Sequence, residues 1–531
     1  ETRCGCSIPR HPASRSLHLT PPPKVAATTP SFASPPGPCL LGSLHMPLAI
    51  SCALALSLAR APALRAAERS VRRETRHVER ARPGNSRQRL AVESQSSFRE
   101  LLAAGAKYSQ LDVRGNSSAL EQRLHPVAEA MQARRAVGSR PGARTDGIKI
   151  ALAVEGGGMR GCVAAGMVAA IHHLGLTDSL DAVYGSSAGS LIGAYLLSRQ
   201  DPRYGCSIYY EELPKAGRRF IDLRNVLRSL GLGALRVTPA GVSDLVQRRL
   251  GMPVLNLDQL LVEIVQRRKP LDFDRLWAGQ PDQPLRVVAS ALTSECSVAL
   301  GSDEGSWRSL PELAHCMRAS MLLPGICGPV VPLNNSRGEV EPHADAMLFE
   351  PIPYRLAVRE GATHVLVLRT RPDGVNVVRR QSIFERLIAW RFFERKMRMP
   401  HMYKHMRDQQ HRQRYAEDIL LLNEAAKQSQ ADSGIHIRWR SGPGPPEPVQ
   451  LCQVALQPGE RGPEVSNLQT DAGEIFHAVR CGFARAVEVL APLAHEGGSP
   501  LDGWQLALEV FPDSILEEVR ASMAKPKPKP T

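Results

Sequence analysis

Two successive strand–turn–helix units between residues 148 and 198 constrain the fold more than any other feature of this 531-residue chain. An apolar run, Ile148 to Val154, reads as a buried strand and ends in Glu155-Gly156-Gly157-Gly158-Met159-Arg160-Gly161. A shorter run of the same kind, Leu180 to Tyr184, ends in Gly185-Ser186-Ser187-Ala188-Gly189. Each turn opens a small-residue apolar stretch of helical character, Cys162 to Leu174 and then Ser190 to Ser198. The repeated pattern predicts an α/β domain built on a mainly parallel sheet. Both turns then lie at the carboxyl ends of strands, where open α/β sheets place their ligands.

The second turn fits Gly-x-Ser-x-Gly with Ser187 at its centre. A sharp strand-to-helix turn pushes that side chain outward, and the flanking glycines permit the tight backbone. Ser187 also stands near a helix N-terminus, where free N–H groups favour developing negative charge. An ordinary glycine-rich turn has the same letters, so the first turn has to be weighed with it. Gly156-x-Gly158-x-x-Gly161 satisfies the dinucleotide fingerprint, which wants an acidic residue ending the next strand. Asp178 and Asp181 precede that strand instead, and the turn carrying Ser187 ends it. An acyl hydrolase needs a serine there, and adjacent glycines opening a helix supply N–H groups suited to an oxyanion. A Rossmann-type nucleotide-binding oxidoreductase remains the alternative from a different class.

These two motifs together resemble the patatin-like phospholipase family, in its bacterial-like Glu-Gly-Gly-Gly-Met-Arg-Gly subgroup. The resemblance implies a three-layer α/β domain and a lipid acyl hydrolase using a Ser–Asp dyad without histidine. It also implies an Asp shortly before an Ile-Pro or Leu-Pro, and His343-Ala344-Asp345-Ala346-Met347-Leu348-Phe349-Glu350-Pro351-Ile352-Pro353 occupies that place. The family's Ala-Ser followed by Pro is matched by Ala319-Ser320-Met321-Leu322-Leu323-Pro324. Carried over residue by residue, Ser187 would be the nucleophile and Asp345 the proton acceptor. Gly156, Gly157, Gly158, Met159, Arg160 and Gly161 would form the oxyanion loop, with Arg160 helping to shape it. Gly185, Ser186, Ala188 and Gly189 would form the nucleophile elbow. The substrate would be a membrane or storage lipid, its carboxylic esters cleaved in lipid degradation with no cofactor and no metal. The resemblance covers residues 147–372. One departure is chemical: Ala346 and Met347 stand where the family places glycine after the Asp, which leaves a catalytically inactive member as a further reading.

A carboxylate acting as base must hold a pKa suited to taking a proton and returning it. Met347, Leu348 and Phe349 beside Asp345 predict burial and an upward shift. A Ser–His–Asp esterase is the rival within the hydrolases and needs a late histidine. His343, two residues from Asp345 on one face of an extended segment, and His364, opening an apolar run, are its candidates. His172-His173 closes a helix and reads as an electrostatic C-terminus.

Charge divides the chain. Residues 146–375 carry 24 basic and 24 acidic side chains, whereas the whole chain is +15. The surplus lies in the flanks, which argues against a basic catalytic groove for nucleic acid and suits an anionic surface such as a membrane. Residues 1–95 read as a disordered or targeting segment, with the apolar run Pro47 to Ala59 fitting a secretory core and the acid-poor, arginine-rich context fitting an organellar transit sequence. Residues 96–145 read as a helical lead-in and linker, 146–375 as the catalytic domain, and 376–441 as a basic amphipathic helical segment. Residues 442–466 read as a linker, 467–522 as a C-terminal helical segment, and 523–531 as a solvated tail. Within 376–415, Ile383, Phe384, Leu387, Ile388 and Trp390 recur near helical spacing among Arg386, Arg391, Arg395 and Lys396. This composition reads either as peripheral membrane contact or as packing on the catalytic domain. No nucleic-acid motif is present, the oligomeric state is not legible, and eleven scattered cysteines without zinc spacing predict free thiols.

Overall fold

The computed structural model describes residues 124–223, 225, 253–335, 337–375, 377–378, 381–428, 435–437, 447–457, 464–491 and 501–524. The targeting segment, the helical lead-in before residue 124 and the tail from residue 525 lie outside them.

The strands are β1 (Ile150–Val154), β2 (Ala182–Ser186), β3 (Leu285–Ala291), β4 (Cys296–Leu300), β5 (Val331–Asn334), β6 (Val340–Ala344), β7 (His364–Leu368), β8 (Ile435–Ile437) and β9 (Glu447–Val454). They form one sheet in the order β5-β6-β3-β2-β1-β7-β9-β8, with β4 also paired to β3. The central five, β3-β2-β1-β7-β9, run parallel, and antiparallel strands close both edges. β1, β2 and β3 are buried throughout, as expected of parallel strands covered on both faces.

The helices that matter for the site are α1 (Pro126–Ala136), α2 (Gly161–His173), α3 (Ala188–Leu197), α4 (Leu310–Met321), α5 (Ile383–Ala389), α6 (Pro400–Arg407), α7 (Gln410–Gln428) and α8 (Ala472–Leu490). Strand alternation divides the interior into two layers of packing. Ile150, Leu152 and Val154 of β1 face the core that includes α2, α3 and α8. Ala151 and Ala153 face a second core with Tyr354, Tyr415, Ala416 and Leu422. The result is the expected three-layer, mainly parallel mixed sheet. All the described residues belong to one compact unit.

Two boundaries differ from the sequence expectation. Glu447–Val454, expected within a linker, is a strand parallel to β7 with Val365 opposite Leu451. Proline and glycine dominate the preceding residues, whereas Val449-Gln450-Leu451-Cys452 reveals itself as a strand only beside β7. The C-terminal helix, expected as a separate segment, shares the core of the sheet. Its predicted face, Phe476, Val479, Phe483, Val487 and Leu490, is buried as expected. It meets α2 at two glycines: a Cβ on Gly166 would stand 2.0 Å from the Val479 carbonyl oxygen, and one on Gly482 would stand 2.0 Å from that of Val163. Only residues without side chains permit backbones this close.

Candidate active site

The parallel register brings the two glycine turns together. Val154 pairs with Gly185 of β2 and with Leu368 of β7, so the three strands end side by side. The glycine loop after β1 therefore packs directly on the serine turn after β2. A Cβ on Gly156 would lie 2.8 Å from the Ser186 carbonyl oxygen and 2.9 Å from Ser187 Cβ. On the far side of the elbow, a Cβ on Gly189 would lie 2.2 Å from the Val154 carbonyl oxygen.

Ser187 has φ 50° and ψ −121°, a left-handed conformation uncommon for a residue with a side chain. Such strain costs on the order of 1–3 kcal/mol and persists where surrounding structure enforces it. Here the Ser187 N–H donates to Ser320 Oγ at 2.7 Å, and Ser320 Oγ donates in turn to the Val288 carbonyl at 2.5 Å. Ser190 donates to the Ser187 carbonyl from both its N–H, at 2.9 Å, and its hydroxyl, at 2.7 Å. Ser186 Oγ donates to the Glu350 carbonyl.

The Ser187 hydroxyl donates to Asp345 Oδ2 at 3.1 Å. Asp345 follows β6, its N–H bonded to the Leu322 carbonyl at the end of α4, and its Oδ1 accepts the Met347 N–H at 2.8 Å. The carboxyl is 5 % exposed. Burial pushes its pKa up to about 7, against the smaller lowering by the Met347 and Ser187 hydrogen bonds. Ala346 at the family's glycine position needs no left-handed backbone, because neither it nor Met347 has a positive φ. The carboxyl is presented by a short 3₁₀ turn, Ala346–Leu348, which any L-residue adopts.

The glycine loop is anchored from below by Glu155, which is 2 % exposed. Its Oε2 accepts the Thr370 N–H and its Oε1 accepts the Tyr415 hydroxyl, each at 2.5 Å. Thr370 Oγ1 donates to the Gly156 carbonyl at 2.9 Å. Within the loop, the Gly156 N–H goes to the Pro351 carbonyl and the Arg160 N–H to that of Gly157. The Gly161 N–H serves the Gly158 and Met159 carbonyls. The Met159 N–H donates to the Asn467 carbonyl at 3.1 Å. Among the described residues, only the N–H groups of Gly157 and Gly158 lack a partner in this loop. Arg160 is buried, 3.7 Å from Glu464.

The histidine candidates stand elsewhere. His343 Nδ1 contacts the Glu341 carbonyl, and among the described residues no histidine hydrogen-bonds Ser187 or Asp345. His364 pairs with Ile150 at the opposite end of the strands. Asp181, weighed for a ribose, is held by Arg134 and Arg144 and accepts the Ile150 N–H at that same far end. Cys162, just after the loop, is buried and its thiol is pushed up to about 12 by burial. Sequence reasoning missed Ser320 as the anchor of the elbow, and missed Glu155, Thr370, Tyr415 and Asn467 as holders of the loop. The Ala-Ser motif signalled Ser320. Nothing marked Tyr415, which lies 260 residues from the carboxylate it binds.

One family of known proteins matches part of the chain. Residues 152–358 match the family model of patatin-like phospholipases. No curated protein matches the chain. Among solved structures, the crystal structure of VipD from Legionella pneumophila is similar at 14% identity with a TM-score of 0.28, over 65% of this chain and 66% of that one. The similarity to patatin-like phospholipases thus runs from within β1 to beyond the turn that carries Asp345.

Proposed function

We propose that this protein is a serine acyl hydrolase that cleaves carboxylic esters of membrane or storage lipids through Ser187 and Asp345. The observation that carries the proposal is the 3.1 Å hydrogen bond from the Ser187 hydroxyl, on a left-handed elbow, to a buried carboxylate. A serine hydroxyl is a weak nucleophile until a base accepts its proton. Asp345 Oδ2 takes that proton as Ser187 Oγ attacks the ester carbonyl. The resulting oxyanion is held by the N–H groups of Gly157 and Gly158, one such donor being worth about 3 kcal/mol of transition-state stabilisation. Asp345 returns the proton to the departing alcohol oxygen, leaving an acyl ester on Ser187. The oxygen of a water then attacks the acyl carbon as Asp345 takes its proton, and Asp345 passes that proton to Ser187 Oγ as the bond to Ser187 breaks and the fatty acid leaves. A pKa near 7 suits both directions of transfer.

The test is fatty-acid release from a panel of phospholipids, galactolipids and triacylglycerol by the full chain and by Ser187→Ala and Asp345→Asn. Release by the parent, abolished in Ser187→Ala and reduced about 10²–10⁴-fold in Asp345→Asn, is the expected result. A folded parent that releases no fatty acid from any lipid would overturn the proposal in favour of an inactive member. A dead Ser187→Ala beside a fully active Asp345→Asn would place the base elsewhere.

A further inference from the structure

The helical arm after β7 has two faces with different fates. The buried face packs on the turn that presents Asp345. Ala389, Phe392, Phe393 and Met402 share a core with Leu348 and Phe349. His405 Nε2 donates to the Leu348 carbonyl at 3.0 Å, and Arg414 donates to that of Phe349 at 3.2 Å. Further along, Tyr415 reaches Glu155 under the glycine loop. The arm thus touches the supports of both the candidate base and the candidate oxyanion donors.

The other face, at the start of α5, is exposed. Ile383 is 82 % exposed, Phe384 48 % and Leu387 40 %. Positions i, i+1 and i+4 place all three on one side of one helical turn. The turn is well built: Ser382 and Glu385 form a reciprocal capping box, so these apolar groups are displayed by an ordered helix end. Leaving three large apolar side chains of one turn in water is unfavourable, and such patches mark interaction sites.

The charges around the patch identify the occupant. Residues 381–409 hold seven Lys and Arg against three Asp and Glu. Glu385 is taken by Arg412 at 2.8 Å and Asp408 by Arg407 at 3.0 Å. Arg386, Arg391, Arg398 and Lys404 are exposed and have no acidic partner among the described residues. Exposed apolar groups on an arm rich in unpaired cations fit an anionic bilayer face, where the apolar groups enter the headgroup boundary and the cations meet lipid phosphates. Among the described residues no helix is long and apolar enough to cross a membrane.

We propose that Ile383, Phe384 and Leu387, with the cations beside them, dock the protein on anionic lipid surfaces and so bring the Ser187 site to its substrate. The docking surface stands on its own observations, while its use in hydrolysis rests on the proposed acyl-hydrolase activity. The experiment sediments the full chain, carrying Ser187→Ala so that lipid is not consumed, with phosphatidylcholine vesicles with and without phosphatidylserine. Binding is expected to be at least ten-fold stronger to the phosphatidylserine vesicles. It should fall at least ten-fold in Ile383→Glu/Phe384→Glu/Leu387→Glu and, independently, in Arg386→Glu/Arg391→Glu. With Ser187 restored, both variants should lose vesicle hydrolysis while hydrolysing a soluble short-chain ester at the parent rate. Vesicle binding without hydrolysis of any ester would support docking while sinking the proposed activity. A parent that ignores vesicles, folded variants that bind as the parent does, or a patch that instead mediates dimerisation in light scattering would each overturn the docking proposal.

Discussion

At the scale of single residues, the chemistry proposed for this site depends on where Asp345 titrates. Burial raises its pKa to about 7 in the fold. The base must be ionised to accept the Ser187 proton, so kcat/KM on a soluble ester should rise about tenfold per pH unit up to roughly pH 7 and level above it. A profile flat down to pH 5 would contradict an Asp345 base with this pKa. Stability carries the opposite sign. A carboxyl whose folded pKa lies above its unfolded value disfavours the fold once ionised. That penalty is absent below the unfolded pKa, 3.8, and complete above about pH 7. Asp345→Asn should therefore stabilise the protein at pH 8, by on the order of 4 kcal/mol, and leave it nearly unchanged at pH 4, as read by denaturant unfolding. Glu350, also buried and raised to about 7, adds a second penalty of the same sign but does not touch Ser187. Glu350→Gln should leave the kinetic limb in place. Glu155 offers a separate test. Removing the Tyr415 hydroxyl leaves a buried carboxylate short of one donor, a loss of about 1–3 kcal/mol. Tyr415→Phe should lower kcat roughly tenfold, with KM little changed, if the glycine loop is held for the transition state. An unaltered kcat would mean that Thr370 alone positions the loop.

At the scale of elements, the glycines of α2 and α8 tie the two turns to the carboxyl end of the chain. Gly482→Ala would drive a methyl group into the Val163 carbonyl, which sits on the helix that starts at the glycine loop. Overpacking of this kind costs about 1–3 kcal/mol, so the melting temperature should fall by roughly 5 °C, with activity lost in parallel. An unchanged melting temperature would mean that the two helices separate freely. This contact explains a limit of sequence reasoning. The period of Phe476, Val479, Phe483, Val487 and Leu490 announced a buried face, yet nothing in it names the helix across from it. β9 hid for a related reason: the last of the parallel strands takes its meaning from a neighbour 86 residues earlier, as His364 pairs with Gln450. The arm was legible only as a mixture. Ile383 and Phe384 were visible as apolar positions, but that they stay in water while Phe392 and Phe393, which the spacing did not single out, pack depends on the turn after Asp345 against which the arm folds.

At the scale of the whole molecule, the site is where three neighbouring parallel strands end and where β6 delivers a carboxylate from the other side. The two turns could be read directly because glycine spacing reports local backbone geometry, and the elbow's left-handed Ser187 is a local event. Asp345 was legible only through resemblance, since its meeting with Ser187 spans 158 residues and several elements. Its neighbour Ala346 carried no information about activity, because the turn here needs no glycine. The charge division has a structural counterpart as well: a neutral catalytic segment bears a cationic arm whose buried side supports the site. The account stands most directly on covalent labelling of the full chain by a fluorophosphonate, followed by peptide mass spectrometry. It predicts one adduct on Ser187, absent in Ser187→Ala and formed at least a hundred-fold more slowly in Asp345→Asn. Labelling at another residue, or labelling of Ser187 at an undiminished rate without Asp345, would contradict it.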